Sequence, residues 1–219
     1  MSPRRFIVLI MALAVLGAGG LIYLARRSPV AEPAALVIDT TSVVTYSIGS
    51  PEASLEVWVG SDYQCPDCAR YELESMPEIV RRFIDTGRIR WRHLLFALPG
   101  HDEARPATHA LACAQEQGPS AAGAVHRGLF ETRAEWARSA EHQAVFRRVA
   151  EQGGLDLAAW EACMHSGRYG AAVEKSWQEA QRVGIPGTPT VLLYGRFYVG
   201  GLTANQLERV LKQPPAAQR

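Results

Sequence analysis

Four cysteines occur in 219 residues, and two of them stand three positions apart in "SDYQCPDCARYE", residues 61–72. Cys65 and Cys68 directly follow a β-branched run and open a helical pattern, which puts the first sulfur at a helix N-terminus. There, unpaired backbone N–H groups and the positive end of the helix dipole favour a thiolate. The second sulfur falls one turn along the same face, close enough for a bond. Such a bridge closes almost no loop, so it is a poor staple; strained, exposed bridges are the exchangeable ones. A zinc site would need a second CxxC or a close His pair, and the sequence offers neither. Covalent haem attachment would need His at position 69, where Ala69 stands. The pair reads as a redox switch, with no metal or organic cofactor called for.

The other two cysteines, Cys113 in "HALACAQ" and Cys163 in "AWEACMHS", lie on helical stretches. If Cys65 and Cys68 pair with each other, these two are left to bridge a loop of about fifty residues, worth roughly 4 kcal/mol less any strain. Two buried free thiols are the alternative. "GIPGTPT", residues 184–190, is by itself a Pro/Gly turn ahead of a strand. His93, His101, His109, His126, His142 and His165 are scattered and read as surface or packing residues. Asp62 reads as a solvated loop acid, with a proton-relay role for the second cysteine as the alternative. Trp58, Trp91, Trp136, Trp160 and Trp177 read as core faces.

The elements that must position these residues follow from periodicity. "VVTYS" (43–47) and "SLEVWVG" (54–60) are strands around a turn, and a helix runs from Pro66 to about Thr86. Its buried stripe is Tyr71, Met76, Ile79, Val80 and Phe83, with a kink expected at Pro77 and Gly87 closing it. "RIRWRHLLFAL" (88–98) is a third strand. Residues 101–183 are alanine-rich and helical, with breaks at "QGPS", "GG" and "SGRYG" that separate four or five helices. "TVLLYG" and "FYVGG" form a hairpin around Gly195-Arg196, and Thr203 caps a last helix. A sheet interrupted by one block of helices makes the fold class α/β with an all-helical insertion.

Residues 6–25, "FIVLIMALAVLGAGGLIYLA", carry no charge and no proline and are long enough to cross a bilayer. Arg4, Arg5, Arg26 and Arg27 flank them. Residues 1–27 are expected to be an uncleaved single-pass anchor, with a cleaved signal as the alternative. Residues 28–42 are expected to be a tether, 43–212 the folded domain and 213–219 a tail. Beyond Arg27 there are 19 basic against 22 acidic residues, a net of −3, which excludes a nucleic-acid-binding role resting on charge.

"SDYQCPDC", "GIPGTPT" and "YGRFYVGG", in that order around an Ala-rich helical block, resemble the thioredoxin-fold disulfide oxidoreductases of the DsbA type, in their membrane-anchored or secreted bacterial branch. The resemblance covers residues 42–212. It implies a thioredoxin fold, with Cys65 the exposed sulfur that exchanges with substrate and Cys68 the buried resolving one. It implies a cis Thr188–Pro189 bond whose Thr188 backbone pairs with an extended substrate, with Pro66 and Asp67 beside it. It also implies an oxidase of exported cysteine-containing proteins at the cytoplasmic membrane, facing the periplasm or the cell exterior, recharged by a quinone-linked membrane partner. A reductase or isomerase fed by a membrane electron donor is the alternative direction, and a redox-inactive peptide-binding chaperone the alternative class. Two positions depart from the family pattern. Val59 stands where a buried acid often sits, and Asp67 where strongly oxidising members often carry histidine. A negative charge beside Cys65 is expected to raise its pKa and weaken the oxidant.

Overall fold

The computed structural model describes residues 37–213; the expected anchor at 1–27, the first part of the expected tether and all but the first residue of the tail lie outside the described residues. Among the described residues, no helix is long and apolar enough to cross a membrane. Of the tether, residues 37–42 lie against the folded domain instead of running free. Ile38 is buried, the Asp39 N–H donates to Glu179 Oε1 at 2.6 Å, and Arg182 Nη2 donates to the Val37 carbonyl at 2.6 Å. Buried apolar area and satisfied backbone groups hold this stretch down.

Five strands, β1 (Thr45–Ile48), β2 (Glu56–Ser61), β3 (Arg90–Leu95), β4 (Thr190–Leu193) and β5 (Arg196–Val199), form one sheet in the order β1-β3-β2-β4-β5. β2 and β3 are parallel because helix α1, residues 66–84, carries the chain across between them. The other pairings are antiparallel. The β4–β5 turn is Tyr194-Gly195, one residue earlier than expected. Both have positive φ, 53° and 69°, which matches the twist of a two-residue hairpin.

Four residues of the expected stripe on α1 are buried, and the fifth, Val80, is half-buried against the same cluster. Tyr71, Met76, Ile79 and Phe83 pack with Val57, Val59, Trp91, Val191 and Leu193 of the sheet and Leu207 of the last helix. Through the expected kink at Pro77 the helix is continuous, alternating α-helical turns (Pro66–Arg70, Met76–Ile79) with π-helical turns (Tyr71–Ser75, Val80–Ile84). Proline removes a backbone donor and crowds the preceding turn, and the wider π turns on either side accommodate both effects. The last helix, α8 (Ala204–Lys212), starts from Thr203 in a capping box with Gln206.

The insertion contains α2 (Ala104–Gln115), α3 (Pro119–Glu131), α4 (Arg133–Trp136), α5 (His142–Gln152), α6 (Leu157–Ser166) and α7 (Gly170–Val183). The count exceeds the expected four or five by the single turn α4, too short to show a period. The insertion forms a second apolar cluster, and this cluster includes Tyr63, Cys65 and Cys68. A disulfide between Cys113 on α2 and Cys163 on α6 ties two of its helices, with Cα atoms 5.7 Å apart. Trp91, Trp136 and Trp160 are buried, while Trp58 and Trp177 are half-buried.

Candidate active site

Strand β2 ends at Ser61, and the chain reaches α1 through Asp62, Tyr63 and Gln64. Cys65 is the N-cap residue of α1, in extended backbone (φ −69°, ψ 123°), with Pro66 at the first helical position. Proline suits that position because its missing N–H would have had no helical partner. The Cys65 N–H donates to the Asp62 carbonyl, and the Cys65 carbonyl accepts from the Ala69 N–H, both at 3.2 Å.

The sheet brings a distant segment to this sulfur. Thr190 pairs with Gly60 across β4 and β2, which sets Thr188 beside Cys65 across 123 residues of sequence. The Thr188–Pro189 bond is cis. Cys65 Sγ donates to the Thr188 carbonyl at 3.5 Å. Gly200 N–H donates to the Pro189 carbonyl at 2.8 Å, and the Thr190 hydroxyl to the Gly187 carbonyl at 2.7 Å, so the loop is held on both sides. Gly201 then passes so close to Tyr71 that an added Cβ would lie 2.4 Å from the ring, at φ +85°, and the Tyr71 hydroxyl donates to the Leu202 carbonyl. Only glycine fits there.

The two sulfurs differ in environment. Cys68 is 1 % exposed and Cys65 6 %, so Cys65 is buried and not the exposed sulfur that the resemblance implies, although it is the less covered of the two. The Cys65 pKa is lowered to about 6. The largest cause is the Cys68 S–H, which donates to the Cys65 sulfur. The backbone N–H groups of Cys68 and Asp67 add to it, while burial opposes them. Cys68 moves the other way. Burial pushes its thiol well above the ordinary value, and donation to Cys65 strengthens the effect.

Asp67 therefore does not have the expected consequence. Its carboxylate is exposed and paired with Arg70 at 2.7 Å, while its backbone N–H faces the sulfur. The peptide dipole reaches Cys65 at short range, whereas water and Arg70 screen the side-chain charge. Asp62 corrects a second expectation, because it is a buried acid and not a solvated one. Its carboxylate accepts from Gln64 N–H (2.7 Å) and Leu98 N–H (2.8 Å) and meets His101 Nδ1 at 2.7 Å. Burial raises its pKa despite those contacts. Its backbone N–H serves the Cys68 sulfur. Asp62 thus braces the loop that carries the dithiol.

Sequence reasoning also missed Glu72, His93 and His126. His93 and His126 are buried, with ring centroids 4.6 Å apart. His126 Nε2 lies 3.1 Å from Glu72 Oε1, and its Nδ1 lies 2.7 Å from the Tyr63 hydroxyl. Glu72 stands one turn beyond Cys68 on α1. That i, i+4 relation was the signal available, but β3 and α3 supply the histidines and nothing in the sequence pairs those elements.

The chain matches the family profile described as Thioredoxin over residues 41–213. It is 23 % identical over 163 residues to the probable disulfide bond formation protein D of Bacillus anthracis, covering 73 % of this chain and 71 % of that one. Among solved structures it resembles DsbA of Chlamydia trachomatis (22 % identity, TM-score 0.66, 78 % of this chain and 90 % of that one). It also resembles oxidised BdbD of Bacillus subtilis (19 % identity, TM-score 0.67, 76 % and 90 %). With the Cys65–Cys68 pair opening α1, the Thr188–Pro189 loop beside it and a profile match over residues 41–213, the chain belongs to the thioredoxin family.

Proposed function

We propose that this chain is a thiol:disulfide oxidoreductase working in the oxidising direction, forming disulfide bonds in exported cysteine-containing proteins through Cys65 and Cys68. The observation that carries this reading is the asymmetric placement of the two sulfurs. Cys65 stands at the N-cap position of α1 with its sulfur on the Thr188 carbonyl, while Cys68 is covered behind it. With the pair oxidised, a substrate thiolate attacks Cys65, the more accessible sulfur, and the Cys65–Cys68 bond breaks. Cys68 leaves and takes up a proton, which its raised pKa favours. As a thiol it is a poor nucleophile for the mixed disulfide, so the substrate is not thrown back.

A second substrate thiolate then attacks the substrate sulfur of the mixed disulfide and expels Cys65 as a thiolate. A leaving thiol of low pKa departs faster, and Cys65 at about 6 suits that role. The substrate leaves with one disulfide, and the enzyme holds the two electrons as a dithiol. The oxidised pair has no S–H to occupy the Thr188 carbonyl, which then becomes free to accept from an extended substrate backbone. Pro189 shapes that edge, and exposed Pro66 and Asp67 flank it.

The proposal places residues 1–27 in the cytoplasmic membrane as a single-pass anchor, with the residues between it and Val37 linking it to the folded domain outside. A quinone-linked membrane partner would take up the electrons. The Cys113–Cys163 bridge supports an oxidising compartment. The test is the reduction potential of Cys65–Cys68, by equilibration with glutathione and tryptophan fluorescence. A value toward about −120 mV supports the oxidase; one near about −270 mV overturns it in favour of a reductase or isomerase.

A further inference from the structure

We propose that Glu72, His93 and His126 bind a divalent transition-metal ion of the zinc class, at a site separate from the dithiol. One ligand atom from each residue lies within 4.8 Å of one from each of the others. Ligands around a four-coordinate zinc at about 2.0–2.2 Å sit about 3.5 Å apart, so closing this set takes movements of rotamer scale. Two imidazoles and one carboxylate form a donor set of the kind that zinc takes with one position left open.

Three observations go beyond proximity. His93 is fully buried, and neither ring nitrogen has a hydrogen-bond partner. A buried imidazole left without any partner is costly, and a metal ion is a partner that would relieve it. His126 also has the outer contact typical of a metal-bound histidine. The Tyr63 hydroxyl holds Nδ1 at 2.7 Å and leaves Nε2 on the Glu72 side. Finally, a cavity of about 390 Å³ lined by Tyr46, Glu72, Met76, Gly123, His126 and Arg127 brings an ion as far as Glu72 and His126, with His93 buried behind them.

The three residues come from three elements. Glu72 lies on α1, His93 is on β3 in register between Tyr46 of β1 and Val59 of β2, and His126 is on α3 of the insertion. An ion here would clamp the insertion to the thioredoxin core one helical turn from Cys68.

The test uses the untagged full-length chain carrying Cys65→Ser and Cys68→Ser, which removes the thiols as competing ligands, stripped with a chelator. Cobalt(II) is added and its visible d–d absorption followed, then zinc is added in competition. One equivalent of cobalt is expected, displaced by zinc, with affinity at least about tenfold weaker in Glu72→Gln and in His93→Phe. No saturable binding, or binding that both variants leave unchanged, overturns the proposal. Should His93→Phe fail to fold, X-ray absorption of the zinc-loaded parent decides the matter. A shell with two imidazoles supports the site, and a shell of oxygen or sulfur alone overturns it.

Discussion

The two cysteine pairs share an element and differ in everything that surrounds it. Cys65 and Cys68 are three residues apart at the start of one helix, next to a backbone carbonyl from across the sheet. Cys113 and Cys163 are separated by 50 residues, join two helices and are buried at 1 % and 0 % exposure. A bond across 50 residues removes much unfolded-chain freedom, whereas a bond across three removes little. Opening the first pair therefore releases little unfolded-chain freedom, and its two sulfurs are held at opposite pKa shifts. A staple needs sequence separation and cover. A switch needs proximity, access and asymmetry.

The sharpest way to break this contrast is to remove one sulfur from each pair. Cys65→Ser is expected to abolish disulfide exchange, a fall on the order of 10³-fold or more, with the fold intact. Cys68→Ser should instead accumulate a mixed disulfide on Cys65, visible on non-reducing gels. Loss of folding in either variant would put these residues with the staple.

Replacing Cys113 and Cys163 together by alanine should lower unfolding free energy by about 2–5 kcal/mol, read from denaturant midpoints at unchanged slope. Exchange activity per folded molecule should survive. An activity loss in the folded double variant would show that the two pairs are not independent.

The pH dependence sharpens the asymmetry. The Cys65 pKa is depressed from 9.0 to about 6, so its thiolate stabilises the reduced fold fully above the ordinary thiol value. That contribution shrinks as pH falls and is gone below about 6. Alkylation of reduced protein by iodoacetamide should show an inflection at about 6, and stability of the reduced form should decline toward acid over the same window. An inflection near the ordinary thiol value would remove the asymmetry.

The smallest effect concerns Asp67. Its pair with Arg70 is exposed, and such pairs contribute about 0–1 kcal/mol. Asp67→Asn should therefore move the Cys65 inflection by less than about one pKa unit. A larger drop would mean that the carboxylate, and not the backbone, sets the field at the sulfur.

Much of the frame was legible because it is local. The α1 stripe from Tyr71 to Phe83, the Thr203 cap and the glycine breaks of the insertion depend on neighbours within a turn or two, and each falls where its spacing puts it. Cys65 and Cys68 were legible for the same reason, since a helix start fixes both sulfurs. Asp62 was misread because a carboxylate in a loop is ordinarily solvated, and nothing local announced that Leu98 and His101 would close over it. Asp67 was misread because one-dimensional adjacency to Cys65 does not say which way a side chain turns.

The sequence by itself determined the elements, their order and the dithiol at the head of a helix, because backbone propensity, apolar period and capping act over a few residues. The tertiary structure alone decided that the Thr188 carbonyl meets Cys65, that Cys68 is covered, and that a glutamate and two histidines from three elements converge beside them. Those outcomes depend on sheet order and on how the insertion packs, and burial, which sets both thiol pKa values and leaves His93 without a partner, is a property of the assembled chain.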